Sequence, residues 1–305
     1  MTEYVYINGE YIEANKATIP VRTHAFWYGT SVFEGIRAYW NEEDKQLYAF
    51  RVSEHYERIQ KSANIMYMKS PHTTEEYCRI TKNLLKKNEY KEDTYVRPTL
   101  YKMAQKVGPG LFDNPDGFMI MTNKMGDYID TSKGLKVCVS SWRRNGDNAI
   151  PPRAKVAGSY ANAALIKTDA HNFGFDDAIV LDEQGYVTEG SAMNLFLVQD
   201  GKLITTTKTD NILVGITRNT IIEIARDIMG IETEERQVSR TELYISDEAF
   251  YCGTGAQVSP IVSCDCRNIG TGKIGPISAE LQKIYFDVVR GKVPKYKKWC
   301  MPIYD

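Results

Sequence analysis

Apolar and polar residues alternate at the start of the chain. The stretch YVYINGEYI, residues 4–12, keeps this alternation on either side of Asn8-Gly9. That pair suits a two-residue turn whose central residues both have positive φ, so the pattern predicts a hairpin. LFLVQDGKLITT (195–206) predicts a second one around Asp200-Gly201. Between the two the period lengthens. SEHYERIQKSANIM (53–66) sets Tyr56, Ile59 and Ala63 on one stripe of a helix. TTEEYCRITKNLLKKN (73–88) begins another with a Thr73–Glu76 capping box.

GFMIMTN (117–123) reads as a buried strand, the polar GDYIDTSKG (126–134) as a linker, and LKVCVSSW (135–142) as the next strand. Beyond the linker, SYANAALIKTDAHNFG, TRNTIIEIARDIMG and ISAELQKIYFDVVRG predict helices, each closing on a glycine that tolerates a left-handed residue. Strands such as AIVLDEQGYVTEG and EAFYCGTG alternate with them. No repeat or low-complexity tract interrupts the pattern. The expectation is an α+β protein of two lobes: a smaller N-terminal domain over 1–125, an interdomain loop over 126–134 and a larger domain over 135–305, with a ligand in the cleft between them.

The 305 residues are 43% hydrophobic and 11% aromatic, enough for a sizeable core. The 38 basic and 39 acidic side chains leave a net charge of -1. Neither nucleic acid nor an anionic membrane gains from such a balance, so the expected partner is a small molecule. The N-terminus is too polar for a signal peptide and no apolar run approaches a membrane span, which predicts a cytoplasmic protein. Six cysteines lack metal-site spacing and are read as reduced, with a redox pair at Cys264 and Cys266 as the alternative.

Lys155 lies between a double proline and the small residues of VAGSYANAA. Small neighbours allow close approach, and burial there would favour a neutral, nucleophilic amine. The competing reading is a surface loop lysine. VGITRNTIIEIARDIMG offers a helix start to an anion, although Thr217 could simply be an N-cap. Thr254 and Gly255 in CGTGAQVSP could donate to a phosphate or carboxylate, or make a tight turn. Glu189, flanked by Gly190 and Ser191, could face a pyridine nitrogen or be a solvated turn residue. Tyr95 and Arg97 in TYVRPTLY share one strand face and could hold an anionic substrate, or Arg97 could form a structural ion pair.

GTSVFEGIRAY (29–39), HYERI (55–59), YVRP (95–98), IPPRAKVAGSY (150–160), VTEGSAMNLF (187–196), GITR (215–218), CGTGAQVSP (252–260) and GPISAELQKIYFDVVRGK (275–292) together resemble the branched-chain amino acid aminotransferases. These are two-domain fold-type IV enzymes, D-amino acid aminotransferase-like, that depend on pyridoxal 5′-phosphate (PLP). The resemblance implies that Lys155 forms the internal aldimine and shuttles the proton. The small residues after it would let cofactor and helix meet. Glu189 would partner the pyridine nitrogen and Tyr160 the ring's phenolic oxygen, while Arg58, Ile216, Thr217 and Thr254 would hold the phosphate. Phe33, Gly35, Tyr95 and Tyr128 would wall the substrate pocket. Gly255 and Ala256 would meet the α-carboxylate, Arg97 the distal carboxylate of glutamate, and Tyr28 would reach the neighbouring subunit's site in a homodimer or larger oligomer. The implied reaction is reversible transamination between L-branched-chain amino acids and 2-oxoglutarate. Met125 stands where several bacterial relatives would have an aromatic residue, which leaves preference among Leu, Ile, Val and bulkier substrates open. Rival readings are a D-amino acid or (R)-amine transaminase, an aminodeoxychorismate lyase, and a catalytically silent binding module.

Overall fold

The computed structural model of the chain describes residues 2–126 and 133–304. Two compact units emerge: Met1–Gly126 with Ala154–Gly158 and Asp287–Asp305, and Asp127–Arg153 with Ser159–Phe286. Residues 127–132 of the expected linker, Tyr128 among them, lie outside the described residues.

Among the described residues, the first unit is built on an eight-stranded sheet whose pairings are all antiparallel. The opening hairpin joins Tyr4–Ile7 to Glu10–Glu13, with Ile7 opposite Glu10 and positive φ at Asn8 (46°) and Gly9 (105°). Helices Val52–Ile65 and Thr74–Asn88 bury the predicted stripe of Tyr56, Ile59 and Ala63 together with Tyr77, Ile80 and Leu84. Tyr56 and Tyr77 stack with centroids 4.7 Å apart, and Tyr77 meets Phe118 of the sheet at 4.6 Å. The Thr73–Glu76 capping box is formed.

The stretch 117–123 departs from the sequence expectation. It lies in the strand Asp116–Lys124, which buries Phe118, Ile120 and Thr122 but leaves Met121 and Asn123 exposed. One face packs on the helix through Phe118, and methionines on alternate positions disguise a half-buried strand as a continuous apolar run.

The second unit holds a nine-stranded mixed sheet among the described residues. Leu135–Arg143 runs parallel to both neighbours, Asp177–Leu181 and Gln257–Cys264. Alternation assigns the two faces. Ile179 and Leu181 enter a large apolar cluster with Leu195, Leu197 and Tyr251, whereas Ala178 and Val180 pack against Ile166 and Ala170 of the helix Tyr160–Asn172. The second hairpin turns at Asp200-Gly201 as expected, with Gln199 opposite Lys202. The helix predicted over 217–230 is α-helical only over Ile216–Ile224. It widens into a π turn over Ala225–Met229 before Gly230 closes it in the left-handed conformation.

Among the described residues no helix is long and apolar enough to cross a membrane. All six cysteines are free thiols. Cys264 is buried, with its thiol pushed up to about 12 by burial, while Cys266 is exposed, so the suggested redox pair faces two different environments.

Candidate active site

Both units carry candidate functional side chains. In the first, both peptide groups of Lys155 are tied down: its N–H donates to Ser62 Oγ (3.2 Å) and its C=O accepts from the Phe33 N–H (3.1 Å). Ser62 is fully buried on the helix Val52–Ile65. Val32 bridges Val156 next door. What presses against the small residues after Lys155 is backbone: the Gly158 N–H donates to Gly29 O, and a methyl group on Gly29 would lie 2.7 Å from Gly158 Cα. Within this unit the small residues serve a close approach of two turns of backbone, at Gly29 after the helix His24–Tyr28 and at Gly158.

The Lys155 Nζ lies 5.2 Å from the centre of the Phe33 ring, and Arg97 Cζ lies 4.5 Å from the same centre. Arg97 Nε and Nη2 donate to the Tyr95 hydroxyl at 3.2 and 3.0 Å. The alternate positions of Tyr95 and Arg97 on the strand Thr94–Lys102 bring this about. The ion-pair alternative for Arg97 gives way to a phenol and a ring. Gly35 is required by the same group, because a Cβ there would lie 2.6 Å from the Tyr95 hydroxyl. Tyr28, at the end of the helix His24–Tyr28, accepts a hydrogen bond from the Gly108 N–H at 2.9 Å.

Arg58 shares this unit but points its fork at Glu34. Nε and Nη2 each donate to one carboxylate oxygen at 2.7 Å, and His55 Nδ1 meets the second oxygen at 2.7 Å. Sequence reasoning missed Glu34 and His55, although both fall inside the quoted motifs. A fully buried Glu must find cations or donors, which was the available signal. Burial pushes the Glu34 carboxyl upward, but the Arg58 guanidinium and the bonds from Arg58 and His55 outweigh it and hold the pKa at about 2. Burial also pushes His55 below its ordinary 6.5, with Glu34 only partly offsetting this, so His55 is neutral at pH 7 and donates its Nδ1 proton.

Both shifts act in one direction on stability. A folded-state pKa below the unfolded value gives stability that is complete above the unfolded pKa and lost as pH falls through the folded one. Acid destabilisation should therefore begin below 6.5 through His55 and grow from 4.5 towards 2 through Glu34, whose share is on the order of 3 kcal/mol. Thermal melting from pH 7 to pH 3 checks this, and Glu34→Gln should flatten the lower limb.

In the second unit Glu189 lies in the strand Val187–Gly190 and is only 3% exposed, which removes the solvated-turn alternative. Arg144 pairs with Oε1 at 2.6 Å, and the Asn194 amide donates to Oε2 at 3.0 Å. Neither partner was singled out in the sequence. A second hydrogen bond from Asn194, to Leu213 O at 2.9 Å, reaches the segment that leads into the helix Ile216–Ile224. The N-cap of that helix is Gly215, not Thr217, and no side chain caps it. Thr217 stands one position after Ile216 in the first turn, and both are buried. A buried helix start without a side-chain cap leaves donors and positive dipole for an anion.

Thr254, Gly255 and Ala256 form the turn between Glu248–Gly253 and Gln257–Cys264, and Ser259 Oγ donates to Ala256 O at 2.6 Å. Tyr160 opens the helix Tyr160–Asn172 and is half-buried. The Met125 carbonyl accepts from Arg37 Nη2 at 2.6 Å, which ties the backbone at this position to a buried guanidinium.

The amino-transferase class IV family model matches residues 31–264, and the chain belongs to that family. The branch is equally clear. The chain is 48% identical over 303 residues to the probable branched-chain-amino-acid aminotransferase of Aquifex aeolicus, covering 99% of this chain and 97% of that protein. It superposes on the branched-chain aminotransferase of Thermoproteus uzoniensis, solved with norvaline, with TM-score 0.95 and 37% identity over the whole of both chains. The branched-chain amino acid aminotransferase of Thermobaculum terrenum, solved in its PLP form, gives TM-score 0.95 at 36% identity, covering 100% of this chain and 99% of that one.

Proposed function

We propose that the protein catalyses reversible, PLP-dependent transamination between L-branched-chain amino acids and 2-oxoglutarate, yielding branched-chain 2-oxo acids and L-glutamate. The observation that carries this reading is the Phe33 ring, which has the Lys155 amine 5.2 Å from its centre and the Arg97 guanidinium 4.5 Å from it. An aliphatic side chain gains an apolar wall there, and an acidic one gains a guanidinium and a phenol.

The residues present fit PLP. The uncapped, buried helix start with Ile216 and Thr217 suits a phosphate, joined in this reading by Arg58 and Thr254. Glu189, held by Arg144 at 2.6 Å, would face the ring nitrogen and help keep a proton on it. Tyr160 would meet the phenolic oxygen. When bound, the ring would supply an electron sink for negative charge developing at the substrate's Cα. Lys155 is to hold the cofactor covalently and then carry the proton to and from that carbon. Its tied backbone limits the amine to the sweep of its own four-carbon chain, and Phe33 keeps water off one side. Gly255 and Ala256 offer N–H groups to the α-carboxylate, and Arg97 with Tyr95 takes the distal carboxylate of glutamate.

A homodimer at least is the assembly proposed, with Tyr28 and Tyr128 contributing to substrate binding. In support, Val21, Phe26 and Val107 are each at least 75% exposed around the Tyr28–Gly108 contact, an apolar patch suited to a second copy. A cytoplasmic location is part of the same reading, in keeping with water-soluble amino-acid and 2-oxo-acid substrates.

Assays of L-leucine and D-alanine, each with 2-oxoglutarate, test the reading. Leucine should turn over and D-alanine should not; equal or faster turnover of D-alanine overturns it. Arg97→Met should raise the glutamate KM about 10- to 100-fold while leaving leucine within about threefold, because only the acidic substrate loses a charged hydrogen bond.

A further inference from the structure

We infer that Asn194 is a positioning residue that locks together the two cofactor-holding features of the second unit, the Glu189 carboxylate and the start of the helix Ile216–Ile224. This rests on the reading that Glu189 faces the ring nitrogen and the helix start holds the phosphate. One amide nitrogen makes both connections, donating to Glu189 Oε2 at 3.0 Å and to Leu213 O at 2.9 Å. The Leu213 N–H in turn reaches towards Glu189 Oε1 at 3.5 Å. Leu213 is two residues before Gly215, the N-cap of the helix.

The other end of the amide is confined as well. A Cβ added to Gly215 would lie 2.1 Å from Asn194 Oδ1 and 3.3 Å from Arg218 Cβ. Gly215 has φ -71°, which any residue adopts, so the glycine is there for space. Asn194 itself is 5% exposed and opens the strand Asn194–Gln199, paired with Cys252 across the sheet, so its Cα does not move to suit either partner. A shift of the carboxylate is thereby transmitted to the 213–215 backbone, and a shift of that backbone to the carboxylate. In binding terms, filling the phosphate end should strengthen binding at the ring end, and the reverse.

Splitting the cofactor into pyridoxal and inorganic phosphate tests this. With the cofactor removed from the purified protein, saturating phosphate should tighten pyridoxal binding about 10-fold in the unaltered chain. In Asn194→Ala the enhancement should fall to less than about twofold. That ratio compares one folded protein with itself, so a loss of stability alone does not move it. Gly215→Ala, which pushes on the amide while leaving it in place, should also cut the enhancement. The double variant should behave like Asn194→Ala alone, since without Oδ1 the added methyl loses its 2.1 Å clash and keeps only the 3.3 Å approach to Arg218 Cβ. An enhancement that survives in Asn194→Ala, or additive effects in the double variant, overturns the proposal. Glu189→Gln and Thr217→Val are the controls. If the first leaves pyridoxal binding unchanged and the second leaves phosphate binding unchanged, the underlying reading of the site has failed, a result distinct from failure of Asn194.

Discussion

Lys155→Ala is expected to lower kcat for leucine by at least about 10³-fold and to leave thermal melting of the cofactor-free protein within a few degrees. The first half follows from the role assigned to the amine, which both holds the cofactor and moves the proton, two contributions with no second supplier in the proposed mechanism. The second half follows from how the residue is held. Its N–H bonds Ser62 Oγ and its C=O bonds the Phe33 N–H, and neither needs the side chain. The Val32–Val156 bridge and the Gly29–Gly158 contact are likewise made by other residues. Activity near that of the unaltered chain, measured with leucine and 2-oxoglutarate, would remove Lys155 from the chemistry. Collapse of the fold instead would mean that the side chain carries packing that the backbone geometry does not reveal.

The elements with strong local chemistry were legible in the sequence. Asn8-Gly9 and Asp200-Gly201 specify their hairpins through positive φ, and the Thr73–Glu76 pair specifies its helix start. What local pattern could not supply is partnership at a distance. Nothing around residue 144 announces that Arg144 pairs with Glu189, and nothing at Asn194 announces that its amide spans to Leu213. Both contacts depend on how segments separated in sequence are brought together by the fold. Glu34 and Arg58 are 24 residues apart and meet only because a helix lies over the sheet. The π turn at Ala225–Met229 was invisible for another reason: its residues keep ordinary helical propensity, and only the hydrogen-bond shift defines it. The Thr217 N-cap reading failed because Gly215, two residues earlier, already has the extended backbone that a cap requires.

Two replacements at Glu189 separate its electrostatic role from its structural one. Glu189→Ala strands the Arg144 guanidinium, 12% exposed and 2.6 Å from the lost carboxylate, and leaves the Asn194 amide without one of its two acceptors. Removing one partner of a buried ion pair costs about 3–5 kcal/mol, so the cofactor-free protein should melt roughly 10 °C lower. Glu189→Gln keeps the size and one acceptor oxygen but not the charge. Its melting point should fall by less than half as much, because Arg144 still finds a carbonyl oxygen. Activity should not show the same gap. A neutral amide cannot hold a proton on the ring nitrogen, so both variants should lose about 10²- to 10³-fold in kcat, the Gln variant nearly as much as the Ala variant. Melting curves and kcat measured side by side on the two proteins check the split. If Glu189→Gln retained full turnover, the charge opposite the ring nitrogen would be dispensable, and the buried Arg144–Glu189 pair would be a purely structural strut.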